Sequence, residues 1–331
     1  MRRFIQPKYL LPLGVIIILL LSQVDDITIH NILILTLLYI GLSSAWNLLS
    51  GYTGSLSLGH AAFFGVGAYT STILLIEFQV TPWIGMFVGA IMCVILALII
   101  GLPSFRLKGP FFTLSSIAIA EILRIVAINW REVTNGSMGL RISFSEGPSN
   151  MVFSNSQTYI YLMLAYAFIV FITVYFIDKS KMGLYLKAVR EEEDAATSIG
   201  INANRYKMIS FIISALLTGI GGSLFVQFTL FAEPSSVFDI NLSILIALAA
   251  ILGGIGTLYG PVVGAIIIIP LSEILKSSLG ASGFPGLHLV IYGVVLIVVI
   301  RWMPKGLYPT ISSLIKNRNK KSQKTKIIKE V

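Results

Sequence analysis

Apolar runs of bilayer length recur along this chain, and between Lys8 and Arg106 there is no lysine or arginine at all. A bilayer core takes roughly 20 consecutive apolar residues in helical form to cross, and a water-facing surface does not tolerate so long a stretch without a base. Only 12% of the residues are charged and 56% are hydrophobic. A soluble domain solvates itself with about twice that charge. The sequence therefore specifies an all-α polytopic membrane protein of about ten transmembrane helices. The spans are expected near residues 10–23, 27–49, 61–76, 83–102, 111–130, 159–177, 208–228, 242–258, 261–279 and 287–303. The first run has bases before it, as a secretory signal does, but Asp25 and Asp26 follow it instead of a small-residue cleavage pattern, so it reads as a span.

Charge orients the set. Arg2, Arg3 and Lys8 precede the first span, and Arg106 and Lys108 join the fourth to the fifth. Lys179, Lys181, Lys187, Arg190, Arg205 and Lys207 join the sixth to the seventh, and nine more bases run from Arg301 to Lys329. The opposite connections hold Asp25, Asp26, Glu77, Glu132, Glu146, Glu233 and Asp239, with only Arg131 and Arg141 as bases. Basic connections stay inside, so both termini are expected to be cytoplasmic. Residues 1–310 read as one permease domain with a cytoplasmic coupling segment at about 183–202, and residues 311–331 as a basic tail. That tail, expected to be disordered, suits anionic lipid head groups rather than nucleic acid.

Small residues mark helix packing. Gly256, Gly260 and Gly264 recur at every fourth position, as do Ala215, Gly219 and Ser223, and Gly85 with Gly89. That spacing lays them on one helix face, where another backbone can approach. The segment Gly51-Tyr-Thr-Gly54-Ser-Leu56 resembles Gly253-Gly-Ile-Gly256-Thr-Leu258, which suggests a repeated glycine turn between spans, a feature that in transporters points to the pathway. The single cysteine, Cys93, excludes an internal disulfide and reads as packing.

Enzyme signatures are missing. There is no phosphate-loop GxxxxGK[ST], no HExxH, no GxSxG and no close pair of histidines. No catalytic residue and no metal site is expected, and an energy source must come from a partner or an ion gradient. Glu121 and Arg124, three residues apart in the fifth span, share a helix face. They read as an ion pair that fixes packing or as a contact for a zwitterionic solute. Asn47, Thr53, Ser55, Ser57 and His60 at the first glycine turn are further candidates for the translocation path, His60 also reading as a structural histidine. Glu273 and Lys276 read as a rim salt bridge. The outer connection, residues 131–158, carries Asn135-Gly-Ser, an accidental glycosylation pattern, and offers Arg131, Glu132, Arg141 and Glu146 to an external partner.

The stretch from Asp178 to Lys207 is long for a connection between two spans. Its central part predicts one short helix with acids near its start and Gly200 at its stop, and Ala195 and Ala196 as a small-residue face for another protein. Here Asp194-Ala195-Ala196-x-x-x-Gly200 resembles the Glu-Ala-Ala-x-x-x-Gly coupling motif of ATP-binding-cassette import permeases, with Asp in place of Glu unless Glu193 serves. The run Ser44-Ala-Trp-Asn47-Leu-Leu-Ser-Gly51-Tyr-Thr-Gly54-Ser-Leu-Ser-Leu58-Gly59-His60-Ala-Ala-Phe-Phe64-Gly-Val-Gly67-Ala-Tyr69 resembles the N-terminal signature of the branched-chain amino-acid permeases of the LivM type. Ala-Glu121-Ile-Leu-Arg124, Asn135-Gly136-Ser-Met-Gly139 and Gly253-Gly-Ile-Gly256-Thr-Leu-Tyr-Gly260-Pro261 extend the likeness, which runs in order from about residue 30 to 305.

The resemblance implies a bacterial or archaeal cytoplasmic membrane, a second related permease subunit, and two cytoplasmic ATPases that hold ATP and magnesium. It also implies an external solute-binding protein that delivers leucine, isoleucine or valine. The chain itself would bind no cofactor, and Arg190, Glu193, Asp194, Ala195, Ala196 and Gly200 would form the ATPase-coupling element. Two other readings stay open: an importer of the same architecture for urea, amides or another small solute, and a gradient-driven transporter.

Overall fold

The computed structural model describes residues 26–107 and 109–280 (of 277–280 the backbone alone), with Ile18, residues 21–24, 290, 291, 293, 294, 297, 301, 303 and 306–313. Most of the spans expected at 10–23 and 287–303, and the tail beyond residue 313, lie outside the described residues.

Long helices dominate. In chain order they are α1 (Ile27–Trp46), α2 (His60–Phe78), α3 (Pro82–Ser104), α4 (Pro110–Asn129), the short α5 (Arg131–Thr134) and α6 (Ser156–Lys179). After these come α7 (Lys181–Glu191), α8 (Glu193–Ser198), α9 (Ala203–Thr229), the short α10 (Pro234–Val237), α11 (Ile240–Gly254) and α12 (Gly260–Gly280). Among the described residues, seven helical segments are long and apolar enough to cross a bilayer. α12 is an eighth long helix, over the segment expected as the ninth span.

Sequence determines where several of these helices begin and stop. Pro82 and Pro110 open α3 and α4 at the first helical position, where a missing N–H costs nothing. The Asp26 carboxylate caps α1 by accepting from Thr28 N and Ile29 N. Those two bonds hold its pKa below the usual carboxylate value. α11 ends at Gly254, four residues short of the expected boundary, because Gly254 and Gly256 take positive φ and turn the chain.

The surface is as apolar as the interior. Ile84, Phe87, Ile91, Ile95, Leu98, Ile99 and Leu102 of α3 all stand exposed, as a lipid-facing helix requires. The core lies where α9 packs most extensively on α2 and α3. There a Cβ on Gly67 would run into the Gly219 carbonyl, and one on Gly219 would run into Cys93 Sγ. Cys93 in turn donates to Phe63 O at 3.1 Å. Gly89 meets Gly67, Gly85 meets Ser71, and Gly264 meets Ala249 and Gly253. Buried hydroxyls bond back to the carbonyl four residues before, as Thr72 does to Ala68 and Thr218 to Ser214. Not every buried group is satisfied in this way: Ser43, Ser44, Ser71 and the Gln227 amide have no partner among the described residues.

At one end, the connection after α4 is tied down by two residues of antiparallel sheet. Leu140 and Arg141 (β1) pair with Ala232 and Phe231 (β2), which precede α10. Trp83 and Thr81 donate to Pro148 O and Ser149 O of the same connection. The opposite end carries the basic connections, and there the glycine turns and the coupling segment meet.

Candidate functional site

α1 does not end as an α-helix. Its last turn, Asn47–Gly51, is a five-residue π-helix, a form concentrated at functional sites, and after Tyr52 and Thr53 the chain runs without helix until His60. This non-helical stretch runs from the exposed Gly54 and Leu56 to the buried Ser57 and Gly59, and its inner backbone groups need partners from side chains. Trp46 Nε1 donates to Ser57 O at 2.6 Å, and the Ser50 hydroxyl accepts from Ser57 N at 3.1 Å. From α4, Thr113 donates to Leu56 O at 2.7 Å and Ser116 Oγ accepts from Leu58 N at 3.0 Å. Thr53 Oγ1 donates to Leu49 O and accepts from Ser55 N. Ser214 donates its one proton to Ala45 O at 2.6 Å, so at 2.8 Å it accepts from His60 Nε2. The other ring nitrogen, Nδ1, is buried with no partner among the described residues.

The second glycine turn lies directly against the first. Asn47 Nδ2 donates to Thr257 O at 3.0 Å, and Asn47 Oδ1 accepts from Gly256 N at 2.7 Å. One buried amide thus joins the end of α1 to the end of α11. Gly54 and Gly256, matched in the two sequence segments, have φ of 76° and 74°. A side chain at Gly51 would collide with Asn47 and with Gly256 N. The likeness of the two turns in sequence thus extends to place and to φ at Gly54 and Gly256, while Tyr52 is helical and its match, Gly254, takes φ 131°.

The coupling segment closes over both turns, as two helices rather than the single one expected. The backbone breaks at Glu192, which is extended at φ −157° and ψ 106°. The break lets Glu193, opening α8, take Lys207 of α9 at 2.6 Å. Lys187 of α7 pairs with Asp178 at the end of α6 at 2.6 Å and lies 5.3 Å over the Tyr52 ring. Asp178 also accepts from Tyr52 Oη at 3.0 Å. Burial, together with that neighbouring carboxylate, pushes the Tyr52 phenol well above its ordinary pKa, so it stays a donor. Arg190 Nη1 donates to Gly51 O at 2.7 Å and to Ile255 O at 3.4 Å.

The two alanines of the motif face opposite ways. Ala196 is buried against Val189 and Ala203, whereas Ala195 is open at the surface. They do not form one face, because neighbours on a helix are about 100° apart. Leu184 and Ile199 are 64% and 77% exposed on the same segment. Gly200, at φ +90°, and the exposed Asp194 complete the element.

Glu121 and Arg124 stand away from this node. They form a two-pronged pair, Nε to Oε2 at 2.8 Å and Nη2 to Oε1 at 2.5 Å. Their side chains are 45% and 32% exposed on a helix that shows Leu114, Ile122, Ile125 and Val126 outward. Glu273 and Lys276 also pair, at 2.8 Å. They line the polar mouth of a largely apolar cavity of about 950 Å³ between α1, α9, α11 and α12. None of the sequence-stated path candidates lines that cavity. Among the described residues no cluster of three His, Cys, Asp or Glu is arranged to hold a metal.

Sequence reasoning missed Tyr52, Asp178, Lys187 and Lys207 as anchors of the segment. Asp178 carried a signal, as an acid set among Lys179, Lys181 and Lys187 at the mouth of a basic connection.

Residues 28–300 match the family described as branched-chain amino acid transport system / permease component. The chain belongs to this family. It is 28% identical over 313 residues to the high-affinity branched-chain amino acid transport system permease protein LivM of Escherichia coli K12, covering 87% of this chain and 72% of that protein. It is 26% identical to LivH of Salmonella typhimurium, over 81% of this chain and 90% of that one. With a probable LivM permease of Methanocaldococcus jannaschii it shares 22%, over 82% and 86%. No solved structure matches the chain. Its apolar helices and its permease relatives make it a multi-pass protein of the cytoplasmic membrane and a non-catalytic membrane component.

Proposed function

We propose that this permease is a subunit of an ATP-binding-cassette importer that carries leucine, isoleucine or valine inward by alternating access. It pairs with a second, related permease. Two cytoplasmic ATPases hold ATP and magnesium and supply the energy, and an external solute-binding protein delivers the solute. The apolar runs support about ten spans, and the placement of the bases supports cytoplasmic termini.

One observation carries this reading: α7 and α8 are anchored to α6, to α9 and to both glycine turns, yet present Leu184 and Ile199 to solvent. A rigidly held element with bare aliphatic side chains, at the end rich in bases, is built to receive another protein. Asp194, Ala195 and Gly200 complete that docking face. The half-exposed Glu121–Arg124 pair supports a path between two subunits, because an ion pair midway along a span faces protein or water rather than lipid. The outer connection with Arg131, Glu132, Arg141 and Glu146 is the surface for the binding protein.

Isolation of the chain from native membranes, followed by reconstitution with labelled leucine and the binding protein, tests the reading. The expected result is recovery of a second permease and two ATPases, and uptake that needs ATP and is competed by valine and isoleucine. Uptake competed by urea or amides instead would move the substrate. Uptake by the chain alone without ATP would replace the importer with a gradient-driven carrier.

A further inference from the structure

We infer that Arg190 is not an ATPase contact but a positioning residue that locks the coupling segment to both glycine turns at once. Movement of α7 and α8 is then passed to α1 and α11 together. The inference rests on the importer reading above and adds the device that transmits the motion.

One guanidinium joins three elements. It leaves the last turn of α7, donates to Gly51 O where α1 ends, and reaches Ile255 O where α11 ends. Both acceptors are carbonyls at helix C-termini, where the backbone carries partial negative charge and a cation is favoured. Arg190 therefore caps two helices from a third. The second turn leaves no space for a substitute beside Arg190, and the first packs against it in ordinary contact. A Cβ on Gly256 would strike the guanidinium, and the Gly54 Cα lies close enough that its Cβ would sit 3.5 Å from Arg190 Cγ.

Asn47 binds the turns to each other, so they move as one body and a single attachment drives both. The other anchors do not do this. Lys187 bonds to Asp178 and stacks on Tyr52, and Glu193 holds Lys207. These fix the segment to α6, the first turn and α9, but leave α11 to Arg190. Both bonds leave one nitrogen, Nη1, whose two N–H directions are fixed in the guanidinium plane, whereas those of a rotating ammonium on a flexible stem are not.

The test uses the whole importer, reconstituted with its binding protein and labelled leucine, carrying Arg190→Gln or Arg190→Lys. Three quantities are read: ATPase co-purification, ATP consumed per leucine imported, and amide exchange in residues 51–58 and 253–259. Both variants are expected to keep their ATPases. Arg190→Gln should raise the ATP used per leucine by about tenfold, the scale of one charge-assisted hydrogen bond, and speed exchange in both segments. Arg190→Lys should fall between. Should Arg190→Gln not fold, Arg190→Lys carries the test with the same readouts. Loss of the ATPases from either variant would make Arg190 a docking contact and overturn the inference, as would an unchanged ratio or faster exchange in one segment alone. If the unaltered chain brings no ATPase with it, the importer reading fails instead.

Discussion

At the scale of single residues, most polar side chains in this bundle serve the backbone. Asn47 is the sharpest case, since its donor and its acceptor both go to backbone groups of a turn more than 200 positions away. Asn47→Leu keeps the branching and removes both bonds, leaving Gly256 N and Thr257 O without the amide. An orphaned buried group costs about 1–3 kcal/mol, so the variant should unfold at a lower temperature in detergent and transport less. An unchanged thermal midpoint would show that water replaces the amide. Ser50, Ser57, Thr113 and Ser116 play the same part for the non-helical stretch after Gly51. Of these only Ser57, with Thr53 and Ser55 beside it, reads from sequence as a candidate for the path, and such hydroxyls are also what an irregular backbone between spans demands.

Among the elements, the break at Glu192 matters most. It divides the coupling segment so that α7 faces the turns through Lys187 and Arg190, while α8 faces α9 through Glu193. What remains outward is Ala195, Leu184 and Ile199. Ala195→Arg and Ile199→Glu should each weaken ATPase co-purification by about tenfold or more, the effect of placing a charge in an apolar contact, with insertion into the membrane unaltered. Ala196→Arg is a poorer probe, because Ala196 packs inside the segment and its replacement would distort the helix itself. Normal ATPase recovery with both surface variants would send the docking face elsewhere.

For the whole molecule, the decisive property is its disposition across the membrane. The two ends differ in charge, and Cys93, the single cysteine, is buried, so introduced cysteines can report sidedness without background. Phe144→Cys, in the exposed outer connection, should react with an impermeant maleimide in intact cells. Ile199→Cys should react only after the membrane is opened. The reverse pattern would invert the topology and remove the ATPases from α8.

How much of this was legible beforehand follows from the range of each interaction. The spans from α1 to α12 could be placed because hydrophobicity is a property of each residue. An orientation could be expected because basic connections stay on the cytoplasmic side. The motif at Asp194 to Gly200 singled out the segment proposed to couple to the ATPases, and the repeated glycine turns were visible as a repeated string. Sequence alone could not say that the two turns lie against each other, or that Asn47 and Arg190 join them. It could not show that Ala196 points inward while Ala195 points out, or that Glu192 breaks the helix. Those outcomes depend on which backbone carbonyls α1, α7 and α11 bring within hydrogen-bond reach, and that is settled only when the helices have packed. Local chemistry determined what each segment had to be; the meeting of segments far apart in the chain decided what each side chain does.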